Sequence, residues 1–191
     1  MINNIAIFAS GNGTNAQRIS EYFDKNPLIN VSLILTNNKN AFVIERAKQL
    51  NIPYLIFSKS ELEQSNIILE VLKEKNINWI ILAGFLLKIP DYLIKSFPKH
   101  IINIHPALLP KYGGKGMYGD IVHKEVIAHK EFESGITIHY VNEIYDEGEI
   151  IFQVKTNIDC EDTPETLAKK IHLLEYEYFP EIIKEAIETN D

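Results

Sequence analysis

The sequence predicts an α/β fold with an open, mostly parallel, twisted sheet of about seven strands and helices on both faces. Short apolar segments rich in β-branched residues alternate along the chain with segments of helical periodicity. A glycine-rich loop joins the first apolar segment to the first helical one. The order strand, helix, strand favours parallel strands joined by right-handed crossovers.

The elements follow one another without a break that would mark a linker. The predicted strands cover residues 4–9, 31–36, 53–57, 79–83, 101–105, 134–141 and 149–156. The predicted helices cover residues 16–25, 42–50, 61–76, 91–97, 120–128 and 164–178, the last with Thr163 as N-cap and Pro180 as a kink or restart. We find no repeat, so residues 1–191 are expected to form one domain.

Composition narrows the class of protein. Hydrophobic residues make up 46% and charged residues 24% of the chain, as in ordinary globular proteins. The sequence contains neither a long apolar stretch nor a signal peptide at its start, so we expect a cytoplasmic protein without a membrane partner. The net charge of −7, with dispersed Lys and Arg, argues against nucleic-acid binding. The only cysteine, Cys160, excludes an internal disulfide and a Cys-rich metal site.

Two polar side chains interrupt the fifth predicted strand. Asn103 and His105 lie two residues apart in an apolar segment that ends at Pro106, so both side chains point to the same face. Ligands of open α/β sheets bind beyond the carboxyl ends of the strands, and Pro106 cannot continue a central strand. An amide donor beside an imidazole suits acyl or formyl transfer, because one stabilises an oxyanion and the other carries protons. A buried pair satisfied by backbone partners is the alternative.

The loop at residues 10–15, Ser-Gly-Asn-Gly-Thr-Asn, is typical of a phosphate site. Its glycines allow a tight turn, and the following helix begins with a partial positive charge. Gly11, Gly13 and Ala16 also fit the dinucleotide-binding spacing, but the second strand ends in Asn37-Asn38 where a dinucleotide site needs an acidic residue. We therefore expect a terminal monophosphate, with a plain strand-to-helix turn as the alternative.

Two further segments follow predicted strands. Residues 84–90 are apolar and could line a flat ligand or pack as a helix edge on the sheet. Residues 111–119 contain four glycines, which favours a mobile loop that closes over substrate or a flexible surface connection.

Four motifs in order resemble the phosphoribosylglycinamide formyltransferase family from about residue 5 to residue 180. They are Ser10-Gly11-Asn12-Gly13-Thr14-Asn15, Ala83-Gly84-Phe85, Asn103-Ile104-His105-Pro106-Ala107-Leu108-Leu109-Pro110 and Asp146-Glu147-Gly148. The resemblance implies the formyltransferase fold with a Rossmann-like N-terminal half. It implies transfer of a formyl group from 10-formyltetrahydrofolate to glycinamide ribonucleotide without a metal, by a monomer or homodimer.

The resemblance also implies site residues. Asn103, His105 and Asp146 would be catalytic: Asn103 would bind the oxyanion, a protonated His105 would stabilise it, and Asp146 would favour the charged imidazole. The ribonucleotide would be bound by Gly13, Thr14, Asn15 and Glu175. The folate would be bound by Asn103, by Leu86, Leu87, Lys88 and Ile89, and by Asn142, Glu143, Ile144, Tyr145 and Asp146. Leu86-Leu87-Lys88 departs from the Met-Arg-Ile pattern of many relatives, which leaves the side-chain contacts there open.

Other functions share some of these motifs. Methionyl-tRNA formyltransferase adds a C-terminal domain and formyltetrahydrofolate hydrolase an N-terminal one, and the length of this chain favours neither. A dinucleotide-binding oxidoreductase or nucleotide-sensing module would rest on the glycine loop alone. It would leave Asn103, His105 and Asp146 unexplained.

Overall fold

The computed structural model describes residues 2–64 and 66–190. The strands are β1 (Asn3–Phe8), β2 (Ile29–Thr36), β3 (Tyr54–Ile56), β4 (Ile77–Leu82), β5 (Ile101–His105), β6 (Glu133–Tyr140) and β7 (Ile150–Asn157). The helices are α1 (Thr14–Phe23), α2 (Val43–Gln49), α3 (Lys59–Gln64), α4 (Ile67–Glu74), α5 (Asp91–Ser96), α6 (Asp120–Ala128) and α7 (Pro164–Thr189). The seven strands form one open sheet in the order β3-β2-β1-β4-β5-β6-β7, which confirms the predicted fold class.

Internal contacts divide the chain into two compact units, Met1–Ile102 and Asn103–Asp191. The single domain expected from the sequence stays a prediction. None of the helices in the described ranges is both long enough and apolar enough to span a membrane.

The first unit is built around β1. This strand pairs in parallel with β2 on one side and β4 on the other, and β2 pairs in parallel with β3. Ile5, Ala6, Ile7 and Phe8 are fully buried, as expected of a central strand with both faces covered. Both faces of β1 are therefore buried, which explains its continuous apolar sequence. The glycine loop begins at the end of this strand.

The second unit contains an antiparallel pair, β6 and β7, packed against α7. Helix α7 begins with a capping box, in which the side chains and backbone N–H groups of Thr163 and Thr166 bond reciprocally, and Pro164 occupies its first turn. The helix continues through Pro180 to Thr189, so it does not end near residue 178 and the predicted restart at Pro180 is wrong. Phe179 and Ile183 are fully buried on either side of the proline, and this packing overrides the local cost of Pro180.

The helix predicted over residues 61–76 is also wrong, because two short helices, α3 and α4, occupy this range. Helix α3 starts earlier, where the Ser58 Oγ accepts the Glu61 N–H at 3.2 Å and the Glu61 carboxylate accepts the Ser58 N–H at 2.6 Å. Helix α4 starts anew after Asn66. Asparagine favours caps and turns over helix interiors, a preference that the apolar periodicity concealed.

The glycine loop contains one position where only glycine fits. Gly13 has φ +73°, and a Cβ there would lie 2.4 Å from Cγ2 of Val43 at the start of α2. A Cβ at Gly11 would contact nothing within 4 Å.

We therefore expect Gly13→Ala to lower the free energy of unfolding by about 2 kcal/mol or more through overpacking and backbone strain. Gly11→Ala, the matched control, should change it by less than about 1 kcal/mol. Urea unfolding of the two variants and the parent protein measures both effects. Equal losses in the two variants would show that the close approach of Gly13 to Val43 does not constrain the loop.

Candidate active site

The segment after β5 is held in place by Thr137 of β6. The Thr137 hydroxyl donates to the Ala107 carbonyl at 2.7 Å and accepts the Leu109 N–H at 3.0 Å. Gln153 of β7 donates to both the Thr137 hydroxyl and the Leu109 carbonyl. These contacts satisfy the polar groups of a largely buried segment and fix the direction in which the chain leaves His105.

His105 is oriented by a backbone carbonyl on one side and faces a carboxylate on the other. Its side chain is almost completely buried, and Nε2 lies 2.8 Å from the Tyr112 carbonyl oxygen, so Nε2 carries the proton and donates. Nδ1 lies 3.6 Å from Oδ2 of Asp146. In the neutral ring the basic atom is therefore the one that faces Asp146.

Asn103 receives its orientation from His139 of β6. Nδ1 of His139 donates to the carbonyl of Tyr140 at 2.8 Å, which makes Nε2 the acceptor in the neutral ring. Nε2 lies 3.0 Å from Nδ2 of Asn103 and accepts one of its N–H groups. The His139 imidazole thus fixes the orientation of the Asn103 side-chain amide. The second N–H of Nδ2 is not used by this hydrogen bond.

Asp146 lies between the two imidazoles. Oδ2 accepts the Gly114 N–H at 2.8 Å, and Oδ1 lies 3.7 Å from Nε2 of His139. Burial acts to raise the pKa of Asp146, but the neighbouring His139 and His105 rings and the Gly114 N–H together outweigh it, so the pKa lies below its ordinary value. The carboxylate is therefore ionised at neutral pH.

Burial has the opposite result at His105. Desolvation lowers the pKa of its imidazole below the ordinary value, and the attraction of Asp146 opposes the shift without cancelling it. His105 is consequently neutral in the free protein at neutral pH, whereas the family resemblance implies a protonated ring.

The backbone at Asp146 is as specific as its side chain. Asp146 has φ +57°, a left-handed conformation that Asp adopts more readily than most residues. Two residues later, a Cβ at Gly148 would lie 1.6 Å from the Tyr140 carbonyl oxygen, so only glycine allows the turn to return beside β6. The turn therefore fixes the position of the carboxylate.

The glycine loop in the first unit is held by Asn37 and Asn38. These residues lie where a dinucleotide-binding site has an acidic residue. The Ser10 hydroxyl donates to Oδ1 of Asn37 at 2.6 Å, and Nδ2 of Asn38 donates to the Ser10 carbonyl at 3.4 Å. Both asparagine side chains are thereby engaged with the loop. This arrangement gives a physical reason for the absence of an acidic residue at the end of β2.

Gly13, Thr14 and Asn15 form the transition from this loop into α1. Gly13 is the N-cap and has no side-chain cap hydrogen bond, and no acidic residue lies in the first turn. Every other helix in residues 2–64 and 66–190 has an acidic residue in its first turn. The partial positive charge at the start of α1 therefore has no acidic counterion within its own first turn.

The two predicted folate segments lie in different units. In the first unit, the Leu86 N–H donates to the Ser10 hydroxyl at 3.0 Å, and the Leu86 side chain is 47% exposed while Ile89 is buried. In the second unit, Asn142 shapes its own turn by accepting the Ile144 N–H and donating to the Glu147 carbonyl. Each segment presents apolar side chains at the surface: Leu86 in one, and Ile144 and Tyr145 in the other.

Glu175 lies buried on α7, and its carboxylate pairs with Nδ1 of His172 at 2.9 Å. This hydrogen bond raises the pKa of His172.

Burial lowers the pKa of His123 on α6, whose Nδ1 has no hydrogen-bond partner. Sequence reasoning did not assign His139 to the site. For His139 a signal existed, because it shares a strand face with Thr137.

Comparison with known proteins identifies the family. The family model described as Formyl transferase matches residues 3–183. The chain belongs to the formyl transferase family. Its relatives include the chloroplastic phosphoribosylglycinamide formyltransferase of Arabidopsis thaliana, 41% identical over 185 residues, and the phosphoribosylglycinamide formyltransferase of Bacillus subtilis, 37% identical over 193 residues. The alignment covers 94% of this chain and 63% of the Arabidopsis protein, and 97% of this chain and 95% of the Bacillus protein.

Solved structures of formyl transferases share the fold. The phosphoribosylglycinamide formyltransferase of Bacillus halodurans superimposes with a TM-score of 0.88 at 33% identity and covers 99% of this chain and 97% of its own. That of Streptococcus pneumoniae gives a TM-score of 0.86 at 32% identity, with 97% and 99% covered.

The opposing effects on His105 can be separated by removing the carboxylate. In Asp146→Asn the attraction is lost and burial remains, so the pKa of His105 should fall further below about 6.5. Long-range ¹H–¹⁵N spectra recorded against pH give this pKa and the tautomers, which should be Nε2–H for His105 and Nδ1–H for His139.

Glu143→Gln is the matched control, because it removes an exposed carboxylate from the same turn. It should leave the His105 titration nearly unchanged. A pKa of His105 that rises in Asp146→Asn, or a wild-type ring protonated on Nδ1 alone, would contradict the geometry described above.

Proposed function

We propose that this protein transfers the formyl group of 10-formyltetrahydrofolate to the amine of glycinamide ribonucleotide, giving formylglycinamide ribonucleotide and tetrahydrofolate in purine biosynthesis. The observation that carries the proposal is the network of Asn103, His139, Asp146 and His105 at the end of β5. It occurs in a chain whose relatives of similar length are named phosphoribosylglycinamide formyltransferases.

Asn103 is proposed to stabilise the tetrahedral intermediate. Attack of the substrate amine on the formyl carbon forms a C–N bond and turns the formyl oxygen into an oxyanion. Asn103 gives one N–H to His139, so its orientation is fixed before the reaction, and its second N–H can donate to the oxyanion. A donor held in place costs no reorganisation when the charge develops, which is the condition for electrostatic catalysis.

His105 and Asp146 are proposed to transfer a proton from the attacking amine to the leaving nitrogen of the folate. The attacking nitrogen must lose a proton, and the N10 atom of the folate must gain one as its bond to the formyl carbon breaks. Neutral His105 can accept a proton at Nδ1, and the resulting imidazolium would face the Asp146 carboxylate 3.6 Å away. The ion pair would stabilise the oxyanion electrostatically and return the proton to the leaving nitrogen.

The ribonucleotide phosphate is proposed to bind at Gly13, Thr14 and Asn15. A phosphate at the start of α1 would meet backbone N–H groups and the positive end of the helix, and no acidic side chain of the first turn would repel it. Glu175, whose carboxylate pairs with the His172 imidazole, is proposed as the carboxylate for the ribose and glycinamide end.

The folate is proposed to bind along Leu86, Leu87, Lys88 and Ile89, and along Asn142, Glu143, Ile144 and Tyr145, together with Asn103 and Asp146. The exposed apolar side chains of these segments suit a flat pterin ring. Because Leu86 is fixed through its backbone N–H, part of the recognition here can come from the main chain. Recognition by the main chain would persist although the side chains of Leu86, Leu87 and Lys88 differ from those of many relatives.

Purified protein should convert 10-formyltetrahydrofolate to tetrahydrofolate only when glycinamide ribonucleotide is present, without added metal. The deformylation of the folate is followed by absorbance, and the formylated ribonucleotide by mass spectrometry. His105→Asn should lower kcat by roughly 10² or more, because general acid–base assistance typically contributes 10²–10⁴-fold.

His129→Asn is the matched control, because His129 is an exposed imidazole at the end of α6. It should turn over at nearly the wild-type rate. Release of formate at the same rate with and without the ribonucleotide would identify a hydrolase instead. An oxidation of NADH by the protein would favour the dinucleotide alternative.

A further inference from the structure

The half-buried side chain of Arg46 on α2 contacts the glycine loop. Its Nε donates to the Asn12 carbonyl at 2.8 Å, and its Nη2 donates to the Oδ1 of Asn12 at 2.9 Å. Its Nη1 donates to Oε1 of Gln17 on α1, and the guanidinium lies 5.0 Å from the centroid of the Phe42 ring. The planar guanidinium is therefore fixed by hydrogen bonds from all three of its nitrogens and by the Phe42 ring against its face.

A second contact from the same helix reaches the preceding residue of the loop. The Val43 N–H at the start of α2 donates to the Gly11 carbonyl at 3.2 Å. The carbonyl oxygens of both Gly11 and Asn12 are thus turned toward donors of α2. A loop that binds an anion needs this arrangement, because a carbonyl oxygen pointing into the site would repel phosphate while N–H groups attract it.

The peptide between Asn12 and Gly13 is the one that most needs a restraint. Gly13 has no side chain and adopts φ +73°, so its backbone can rotate with little steric cost. A rotation of this peptide would turn the Asn12 carbonyl oxygen toward the start of α1. Arg46 opposes the rotation by holding the carbonyl and the side chain of Asn12 at once.

We infer that Arg46 is a positioning residue for phosphate recognition: it holds the Asn12 carbonyl against α2 so that the N–H groups of residues 13–15 face the substrate. The inference rests on the proposed binding of the ribonucleotide phosphate at this loop. It requires the fork of an arginine, since a lysine ammonium cannot engage the two Asn12 oxygens and Gln17 in one plane. Arg46 is one of only two arginines in the chain.

A long-range electrostatic role is the competing explanation. A positive charge anywhere near the loop would attract a phosphate, and then only the charge of residue 46 would matter. Arg46→Lys separates the two explanations because it keeps the charge and removes the fork. Arg46→Met removes both and keeps a side chain of similar length.

The experiment measures KM for glycinamide ribonucleotide, kcat, and the affinities for a folate analogue and for glycinamide riboside, which lacks the phosphate. In both Arg46→Met and Arg46→Lys, KM for the ribonucleotide should rise by about tenfold or more, a loss of about 1.4 kcal/mol in binding. The kcat value and the affinities for the folate analogue and the riboside should stay within about twofold of wild type.

Lys48→Met is the matched control, since Lys48 is an exposed cation on α2 paired only on the surface with Glu45 at 2.7 Å. It should leave every constant near its wild-type value. Wild-type behaviour of Arg46→Lys, or an equal loss of affinity for ribonucleotide and riboside, would overturn the inference. If Arg46→Met is unfolded by circular dichroism at the assay temperature, Arg46→Lys alone decides.

Thr14→Asp distinguishes this inference from the proposal on which it rests. A carboxylate at the first residue of α1 should repel phosphate whatever Arg46 does, and so raise KM for the ribonucleotide. If Thr14→Asp raises KM and both Arg46 variants do not, the role of Arg46 is refuted and the phosphate site stands. If Thr14→Asp leaves KM unchanged, the phosphate is bound elsewhere and both are refuted.

Discussion

The position of the Asp146 carboxylate is the constraint on which the rest of the active site depends. It is the group that faces the basic atom of His105, and it lies about as close to the ring that orients Asn103. Two features of the turn fix it, the left-handed backbone of Asp146 and the close approach of Gly148 to β6. Without this charge the buried His105 imidazole would lose the neighbouring carboxylate that acts to raise its pKa. The position of the carboxylate therefore depends on a backbone conformation as much as on a side chain.

In both units, hydrogen bonds to backbone carbonyl groups fix the orientation of polar groups. In the second unit, the Tyr112 and Tyr140 carbonyls select the tautomers of His105 and His139, and so decide which ring nitrogen is basic. In the first unit, donors of α2 bond the carbonyls of Gly11 and Asn12 in the glycine loop. In both cases backbone carbonyls with fixed partners determine the polarity of a surface before any ligand arrives. Preorganised polar groups of this kind supply much of the rate enhancement of many enzymes.

Local spacing predicted the parts of the structure that local rules govern. The strand pattern, the glycine loop and the shared face of Asn103 and His105 follow from periodicity and glycine chemistry, whereas Asp146 came only from the family resemblance, because a turn aspartate is usually structural. His139 and Arg46 were missed because their importance lies in partners distant in sequence, Asn103 and Asn12. The helix errors have other causes: local capping by Ser58 and Asn66 replaced one predicted helix by two, and tertiary packing carried α7 through Pro180.

The central claim is that His105 and Asp146 act as one proton-handling unit, and a double-mutant cycle tests it most directly. The single-turnover rate of formyl transfer is measured for wild type, His105→Asn, Asp146→Asn and the double variant, each saturated with both substrates. If the two residues act together, the double variant should be about as slow as the slower single variant, because the second change removes a group whose partner is already lost. Rate losses that multiply in the double variant would contradict the claim and assign the two residues separate roles.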